Sequence, residues 1–445
     1  MSSSRPYMIP VAALQDQVKT RQNKVNRRNA LHYCAPSGGG WGVVRVACLV
    51  PEILVLFVIP IGCGRHGGVA ALQTGDSRMV RYLLVEEAEI VVGSYLEKVE
   101  QAVDHLIQEE KPAGMILFST CIDDLLGADF DSLIRGATAR HQIPVVRAKM
   151  NPIMSDTKKP PEVMIQHSIY QFLQYPADAG TTGNEAGRRH INVIGSFGQL
   201  DKTSEVHEAL RRAGGYRLRH VTECATLKDF ETMGQSCLNL LVKPAGAFAV
   251  KAMEKRGKQP FVEGFTAFHP SEIKENYQRL SQALGLKEPL DTQVAEAAAW
   301  QLMNEAKPAL KGMTAAIGAT LNARPFELAR FLTELGVNVR YILAKAVHDS
   351  EEKHVAWLKE HAPALQVIPD LDPSLSAQQS YVDQVDLCLG LDAAVYFEPK
   401  KLVELPFDET LYGYRGTETL IRRIQEAAPY RYDLTQRIYR ANLVV

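Results

Sequence analysis

The sequence lacks several features that would assign it to a common class of protein. Its 50 Lys and Arg residues balance 51 Asp and Glu residues, so it has no excess positive charge with which to bind nucleic acid. Its longest clean apolar run, residues 53–61, is too short to span a bilayer and predicts a buried strand. Residues 1–17 contain no apolar signal core. We therefore expect a cytoplasmic protein with no membrane association.

Common catalytic motifs are absent as well. The sequence contains no HExxH, GxSxG or CxxC motif, which leaves common protease, hydrolase and thioredoxin functions without support. The glycine turns at residues 194–198 and 317–322 match neither the Walker A nor the GxGxxG sequence. The turns "IGSFG" (194–198) and "IGATLN" (317–322) are interpreted as tight strand-to-helix turns that require glycine.

Apolar strands alternate with helical stretches along most of the 445 residues. Strands are predicted at 88–94, 113–121 and 143–150, and the pattern restarts at 190 and at 312. This alternation predicts an α/β protein with three doubly wound, Rossmann-like parallel sheets and a helical N-terminal extension. The predicted segments are the extension with a first cysteine loop (1–59) and three α/β domains (60–185, 186–290 and 291–445).

Seven cysteines are too few for a disulfide framework in a chain of this length. Four of them are interpreted as structural: Cys48, Cys224, Cys237 and Cys388. The other three, Cys34, Cys63 and Cys121, occur at turns or strand ends near glycine or proline. Glycine neighbours allow the backbone to approach an iron–sulfur cluster closely. Their separations, 29 residues (63 − 34) and 58 residues (121 − 63), are by themselves weak support for a shared cluster.

The segments around these cysteines resemble motifs of the nitrogenase component 1 superfamily. "CAPSGGGWG" (34–42) is similar to its glycine-rich cysteine loop, "VIPIGCGRHGG" (58–68) to its Gly-Cys-Gly element, and "STCIDDLLGADFDSL" (119–133) to its third cysteine motif. "LNLLVKPAGAFAVKAMEKRGKQPFV" (238–262) and "YGYRGTETLIRRI" (412–424) resemble a middle-domain segment and the late Gly-x-x-Gly helix entry. The resemblance covers residues 25–425.

The resemblance implies a subunit of an oxidoreductase. It assigns Cys34, Cys63 and Cys121 as ligands of an iron–sulfur cluster at a subunit interface, either an [8Fe–7S] P-cluster-like group or a [4Fe–4S] cluster. It also implies two partners. One is a related α-type subunit in an α2β2 heterotetramer, and the other is an ATP-dependent iron protein that delivers electrons.

Two positions depart from the family pattern. Where catalytic α-type subunits place a cysteine and a histidine on the active-site metallocluster, this sequence has Lys243 and Tyr412. Charged lysine has no lone pair to donate, and neutral tyrosine is a poor ligand. The sequence therefore predicts a β-type subunit with no catalytic metallocluster. The stretch from Cys121 to Pro161 most resembles the methylthio-alkane reductases, which reduce carbon–sulfur bonds.

Several alternatives stay open on the sequence alone. Asp123 and Asp124 are expected to cap the helix after Cys121, with a ligand or proton-relay function as the alternative. His66 is either a solvated turn residue or a donor to the cluster. The chain as a whole is alternatively a subunit of a tetrapyrrole reductase, or a cluster-free α/β scaffold or binding protein whose cysteines only pack.

Overall fold

The computed structural model describes residues 5–14, 45–60, 79–151, 160–176, 189–370, 372–375, 378 and 380–433. The strands in these residues are β1 (Ile9–Pro10), β2 (Ile53–Ile59), β3 (Val80–Leu84), β4 (Gly114–Thr120), β5 (Val145–Met150), β6 (His190–Ile194), β7 (Arg217–Arg219), β8 (Leu238–Leu241), β9 (Phe261–Glu263), β10 (Thr314–Ile317), β11 (Asn338–Ala344), β12 (Gln366–Pro369), β13 (Asp383–Leu389) and β14 (Phe397–Val403).

The α-helices alternate with the strands as the sequence predicts. They are α1 (Glu87–Val92), α2 (Tyr95–Glu110), α3 (Cys121–Leu126), α4 (Phe130–His141), α5 (Pro161–Ile169), α6 (Glu205–Gly214), α7 (Leu227–Glu231), α8 (Ala247–Gly257), α9 (Pro270–Ala283), α10 (Gln293–Leu310), α11 (Pro325–Glu334), α12 (Glu352–His361), α13 (Ala393–Tyr396) and α14 (Gly413–Glu426).

The first sheet has the strand order β3-β2-β4-β5, and all its strands are parallel. Every residue of β2 and β4 is buried, because helices and connections cover both faces of such a sheet. The chain leaves β2 for β3 on one side and returns to β4 on the other. The carboxyl ends of β2 and β4 therefore form a topological switch point, which is where α/β sheets bind ligands.

The second sheet has the order β7-β6-β8-β9 and is also fully parallel. The third has the order β1-β12-β11-β10-β13-β14. Its strands are parallel except β1, which pairs antiparallel with β12 at the edge of the sheet. Its switch point lies between β10 and β13. These three sheets confirm the predicted fold class.

Contacts within the chain divide it into two compact units. The two-sheet unit contains residues 40–199 and 214–263, and the one-sheet unit contains residues 1–39, 200–213 and 264–445. The predicted segment 1–59 includes β2, which pairs with β3 and β4 in the first sheet. The domain boundaries at residues 59, 185 and 290 stay predictions. They state which segments of the chain fold independently.

One predicted element is wrong. Residues 88–94 were expected to form a strand, but residues 87–92 form α1. Glu86 and Glu89 form a reciprocal capping box at its start, and Gly93 ends it with a left-handed backbone (φ 75°). The strand of this region is β3, which the sequence analysis missed.

The run at 53–61 is confirmed as a buried strand, since β2 covers residues 53–59. Of the predicted N-terminal extension, residues 1–4 and 15–44 lie outside the described residues. Among the helices that the structure describes, none combines the length and the apolar character that crossing a membrane requires.

Candidate metal site

Cys121 is the one predicted cluster ligand within the described residues. It follows directly after β4 and is the first residue of α3, at the carboxyl-end edge of the first sheet. Its side chain is partly exposed. Because β4 is fully buried up to Thr120, the chain presents this thiol at the first position where it leaves the sheet.

A capping box fixes the start of α3. The backbone N–H of Thr120 donates a 2.6 Å hydrogen bond to the carboxylate of Asp123, and the Thr120 side chain and the Asp123 backbone complete the reciprocal pair. Asp123 is only 3% exposed. The acidic residue near Cys121 therefore has a structural function, which confirms the capping interpretation for Asp123.

Buried polar groups surround this cap. Burial and the neighbouring Asp123 carboxylate raise the pKa of Tyr95 to about 12. The Arg147 guanidinium donates to the Ser119 hydroxyl (2.9 Å) and lies 5.0 Å from the centre of the Phe130 ring. A fixed positive charge is thus held on β5, next to the strand that ends at Cys121.

The other two predicted ligands, Cys34 and Cys63, lie outside the described residues, as does His66. Within the part of the chain that the structure describes, no group of three or more His, Cys, Asp or Glu side chains is arranged to hold a metal ion. The fit to an iron–sulfur cluster is therefore tested at Cys121 alone. A partly exposed thiol at a sheet edge has the right chemistry and is accessible.

The remaining cysteines differ from Cys121. Cys224 and Cys388 are buried, and burial raises the pKa of the Cys224 thiol to about 11. Cys237 is partly exposed, but its thiol donates to the His190 carbonyl (3.1 Å), and burial raises its pKa to about 11. High thiol pKa values oppose the thiolate form that binds metals. Cys48 is partly exposed and precedes β2.

Lys243 and Tyr412 occupy the positions at which the family resemblance places cofactor ligands. In the two-sheet unit, the Lys243 ammonium lies 5.4 Å from the centre of the Phe197 ring. In the one-sheet unit, Tyr412 is 3% exposed, and its hydroxyl donates to the Gly264 carbonyl (3.0 Å). Burial raises the pKa of Tyr412, so the phenol stays neutral.

Glu205 is a structural residue of the one-sheet unit that the sequence analysis missed. Its carboxylate accepts hydrogen bonds from the backbone N–H groups of Tyr414 (2.8 Å) and Arg415 (3.1 Å) at the start of α14, and from the Tyr277 hydroxyl (2.6 Å). An anion at a helix N-terminus is favoured by the helix dipole. The Glu205 side chain therefore binds the backbone N–H donors at the start of α14, the helix of the Gly-x-x-Gly motif.

Asp392 has a similar function at the switch point of the third sheet. Its carboxylate accepts from the backbone N–H groups of Ala319 (2.6 Å) and Thr320 (3.1 Å) in the turn after β10. A Cβ at Gly318 would overlap this carboxylate. The glycine of "IGATLN" is thus required for close approach, as predicted, and an internal carboxylate takes the backbone donors that an anionic ligand would use.

Comparison with known proteins decides the family. The sequence model described as "Nitrogenase component 1 type Oxidoreductase" matches residues 34–428. The chain belongs to this family. The resemblance found in the sequence is therefore confirmed at the level of the family.

Curated relatives of the chain include two kinds of protein. The nitrogenase iron-molybdenum cofactor biosynthesis protein NifE of Sinorhizobium fredii is 23% identical over 361 residues, which cover 77% of this chain and 70% of that protein. The light-independent protochlorophyllide reductase subunit N of Heliobacterium mobile is 21% identical over 413 residues, 85% of this chain and 91% of that protein.

A solved structure supports the same fold. The structure titled "Nitrogenase Cp1 at pH 6.5" superimposes with a TM-score of 0.67 and 19% sequence identity, over 92% of this chain and 95% of that chain. The three parallel sheets of this chain are thus the nitrogenase component 1 fold.

Proposed function

We propose that this chain is a β-type subunit of a nitrogenase-like reductase and holds part of an interface iron–sulfur cluster through Cys34, Cys63 and Cys121. The observation that carries the proposal is the position of Cys121, a partly exposed thiol at the carboxyl end of β4. Cysteine thiolates at such a site would bind iron, and the bound cluster would supply one-electron transfer.

The order of the strands supports a shared site for two of the ligands. β2 and β4 are adjacent and parallel, with Phe57 opposite Phe118, so both strands end at the same edge of the sheet. Cys121 follows β4 immediately, and Cys63 follows the last residue of β2 by four positions in the sequence (63 − 59). The family motifs around both cysteines are thus attached to neighbouring strand ends.

The chain's own residues would prepare the site in two ways. The Thr120–Asp123 cap holds the first turn of α3, which fixes the direction in which Cys121 leaves the backbone. Arg147, held by Ser119, places a positive charge on the same sheet, and this charge would offset part of the negative charge of a thiolate-ligated cluster.

The engagement of Lys243 and Tyr412 supports an electron-transfer function without a catalytic metallocluster on this chain. Tyr412 is buried and bound to the Gly264 carbonyl, and Lys243 packs against Phe197. The charged Lys243 ammonium has no lone pair to donate, and a neutral, buried tyrosine is a poor ligand. The substrate would then be reduced at a metallocluster of a related α-type partner, in an α2β2 assembly served by an ATP-driven iron protein in the cytoplasm.

We propose small methylthio-alkanes as the substrates of that complex, from the likeness of the Cys121–Pro161 stretch to the methylthio-alkane reductases. A second candidate is a tetrapyrrole reductase with a [4Fe–4S] cluster. It is favoured by the similarity to a protochlorophyllide reductase subunit over 85% of this chain.

The test is to express the chain anaerobically with its neighbouring genes and to purify it by a tag on this chain alone. Co-purification of a related chain that carries the cysteine and histidine missing here would support the β-type assignment. ATP-dependent conversion of a methylthio-alkane by the purified complex would support the first candidate, and conversion of protochlorophyllide would support the second. A folded chain without iron would overturn both.

A further inference from the structure

Three helix starts are joined by buried carboxylates in the one-sheet unit. Glu351, at the end of the one-turn helix before α12, accepts from the backbone N–H groups of Phe326 (2.8 Å) and Glu327 (3.4 Å) at the start of α11. Glu327 in turn accepts from the N–H groups of Phe268 (2.9 Å) and His269 (2.7 Å), which precede α9. Each carboxylate therefore holds the beginning of another helix.

Both carboxylates are removed from water. Glu327 is 0% exposed and Glu351 is 3% exposed. Among the described residues, the second carboxylate oxygen of Glu327 accepts no hydrogen bond. An ionised carboxylate that is buried and only partly hydrogen-bonded is costly, and a second one beside it costs more.

The Arg324 guanidinium donates its hydrogen bonds to groups other than the carboxylates of Glu327 and Glu351. Arg324 donates to Glu272 (3.2 Å) and to the carbonyl groups of Thr266 (3.4 Å) and Ser350 (3.3 Å). Glu272 also binds Lys353 (2.5 Å). Arg324 is thus shared between a third carboxylate and two backbone carbonyls, and it only partly offsets the charges of Glu327 and Glu351.

Two other titratable groups at this junction, His269 and Glu334, bind each other. His269 binds Glu334 (2.9 Å), and Glu334 also binds Arg330 (2.9 Å). The charged and titratable groups of the elements that meet at this junction are Arg324, Arg330 and Glu334 of α11 and its N-cap, His269, Glu272 and Glu275 at α9, His348 and Asp349 in the turn before Glu351, and Lys353 and His354 of α12.

We propose that Glu351 is a pH-sensitive device that keeps a proton in the folded protein and, on losing it, loosens the start of α11, where Glu327 lies, and with it the start of α9. With the proton on Glu351, Glu327 is the one buried negative charge of the two, and all four backbone donors stay bound. Without it, both buried carboxylates are charged at the start of α11, and Arg324 only partly offsets them.

The electrostatics agree with this geometry. Burial raises the pKa of Glu351 from its ordinary 4.5 to about 7, and the Glu327 charge adds to the rise, while Arg324 and the two backbone donors oppose it. Because the folded protein holds this proton more tightly than the unfolded chain, the stabilisation is complete below pH 4.5 and is lost as the pH rises through 7.

The start of α11, which Glu351 holds, lies close in sequence to the switch point of the third sheet. α11 follows the turn that begins at Gly318, where Asp392 binds the backbone at the switch point of the third sheet. Asn322 in the same turn donates to the Glu409 carbonyl. Loosening the start of α11 would therefore release one end of the turn at this edge of the sheet. This inference is independent of the proposed function.

The experiment is hydrogen exchange of the full chain at pH 5 and pH 8, analysed by mass spectrometry and corrected for intrinsic exchange rates. The probes are the segments 265–272 and 324–330, and a reference segment lies within α10. We expect protection of both probes to fall on the order of a hundredfold between pH 5 and pH 8. The variant Glu351→Gln, which keeps the acceptor oxygen, should show no such fall. Glu360→Gln, at an exposed position of α12, should behave as the wild type does.

Two results would overturn the proposal. One is unchanged protection of the two probes in the wild type across this pH range. The other is a fall of the same size in Glu351→Gln, which would assign the titration to another group. If Glu351→Gln does not fold, the wild type compared with Glu327→Gln decides, since removal of the Glu327 charge should lower the pKa of Glu351 and shift the fall to lower pH.

Discussion

The backbone N–H of Thr120 donates a 2.6 Å hydrogen bond to the carboxylate of Asp123, three residues further along the chain. Cys121 lies between them as the first residue of α3. The acidic residue next to the predicted cluster ligand is thus part of a capping box that orients the ligand.

Replacement of Asp123 by Ala should destabilise the two-sheet unit by about 1–2 kcal/mol, because the Thr120 N–H loses its acceptor in a buried position. Urea unfolding monitored by circular dichroism measures this loss. Glu97→Ala is the matched control, since Glu97 is also acidic and in a first helical turn but is exposed. An equal loss in both variants would contradict the capping function of Asp123.

Glu205→Ala should destabilise the one-sheet unit by about 2–3 kcal/mol. The substitution leaves two N–H groups of α14 and the Tyr277 hydroxyl without their shared acceptor. Glu208→Ala, three residues along the same helix, removes only surface ion pairs with Arg211 and Arg212 and should leave the unfolding midpoint nearly unchanged. An equal loss of unfolding free energy in Glu208→Ala and Glu205→Ala would contradict this prediction.

Gly318→Ala should destabilise the protein by about 1–3 kcal/mol, because the added Cβ overlaps the Asp392 carboxylate. Asp392→Ala removes that carboxylate, so the double variant should lose less stability than the sum of the two single variants. Gly136→Ala is the control, because this glycine lies inside α4 next to a flexible arginine. It should raise stability slightly. If the stability losses of Gly318→Ala and Asp392→Ala simply added in the double variant, the two residues would not interact.

The two-sheet unit should lose stability in mild acid through His220. Burial lowers the pKa of His220 from 6.5 to about 4, and the Ser196 carbonyl, 3.2 Å from the ring nitrogen Nε2, opposes this shift only in part. The unfolded chain therefore binds a proton first, and up to about 3 kcal/mol is lost as the pH falls from 6.5 to 4. Urea unfolding at pH 7 and pH 5 measures this, and His220→Asn should flatten the dependence. His361→Gln changes an exposed histidine and should leave the pH dependence of stability as it is in the wild type.

The sequence predicts the sheets because their strands are apolar over their whole length. β2, β4 and β10 are short apolar runs that are buried on both faces of a sheet, and few structures other than a strand can bury such a run. The segment 88–94 misled the prediction because Ile90, Val91 and Val92 are β-branched. Its caps decide the structure: the acidic residues Glu86 and Glu89 begin a helix, and Gly93 ends it.

The site is predictable only where its signal is local. Cys121 and Asp123 are two residues apart, so their strand end and cap are readable in the sequence. Glu205 contacts Tyr414 across 209 residues, and Asp392 contacts Ala319 across 73. No spacing rule connects such pairs, because the packing of distant elements brings them together. The family motifs supplied the link between Cys121 and the two cysteines outside the described residues.

Iron binding by Cys121 is tested by measuring iron and acid-labile sulfide in anaerobically purified wild type, Cys121→Ala and Cys237→Ala. Cys237 is the matched control, because it is also partly exposed but donates to a backbone carbonyl. We expect iron and sulfide in the wild type and in Cys237→Ala, and loss of most of both in Cys121→Ala with the fold retained. Wild-type iron content in Cys121→Ala, or a folded wild type without iron, would contradict it.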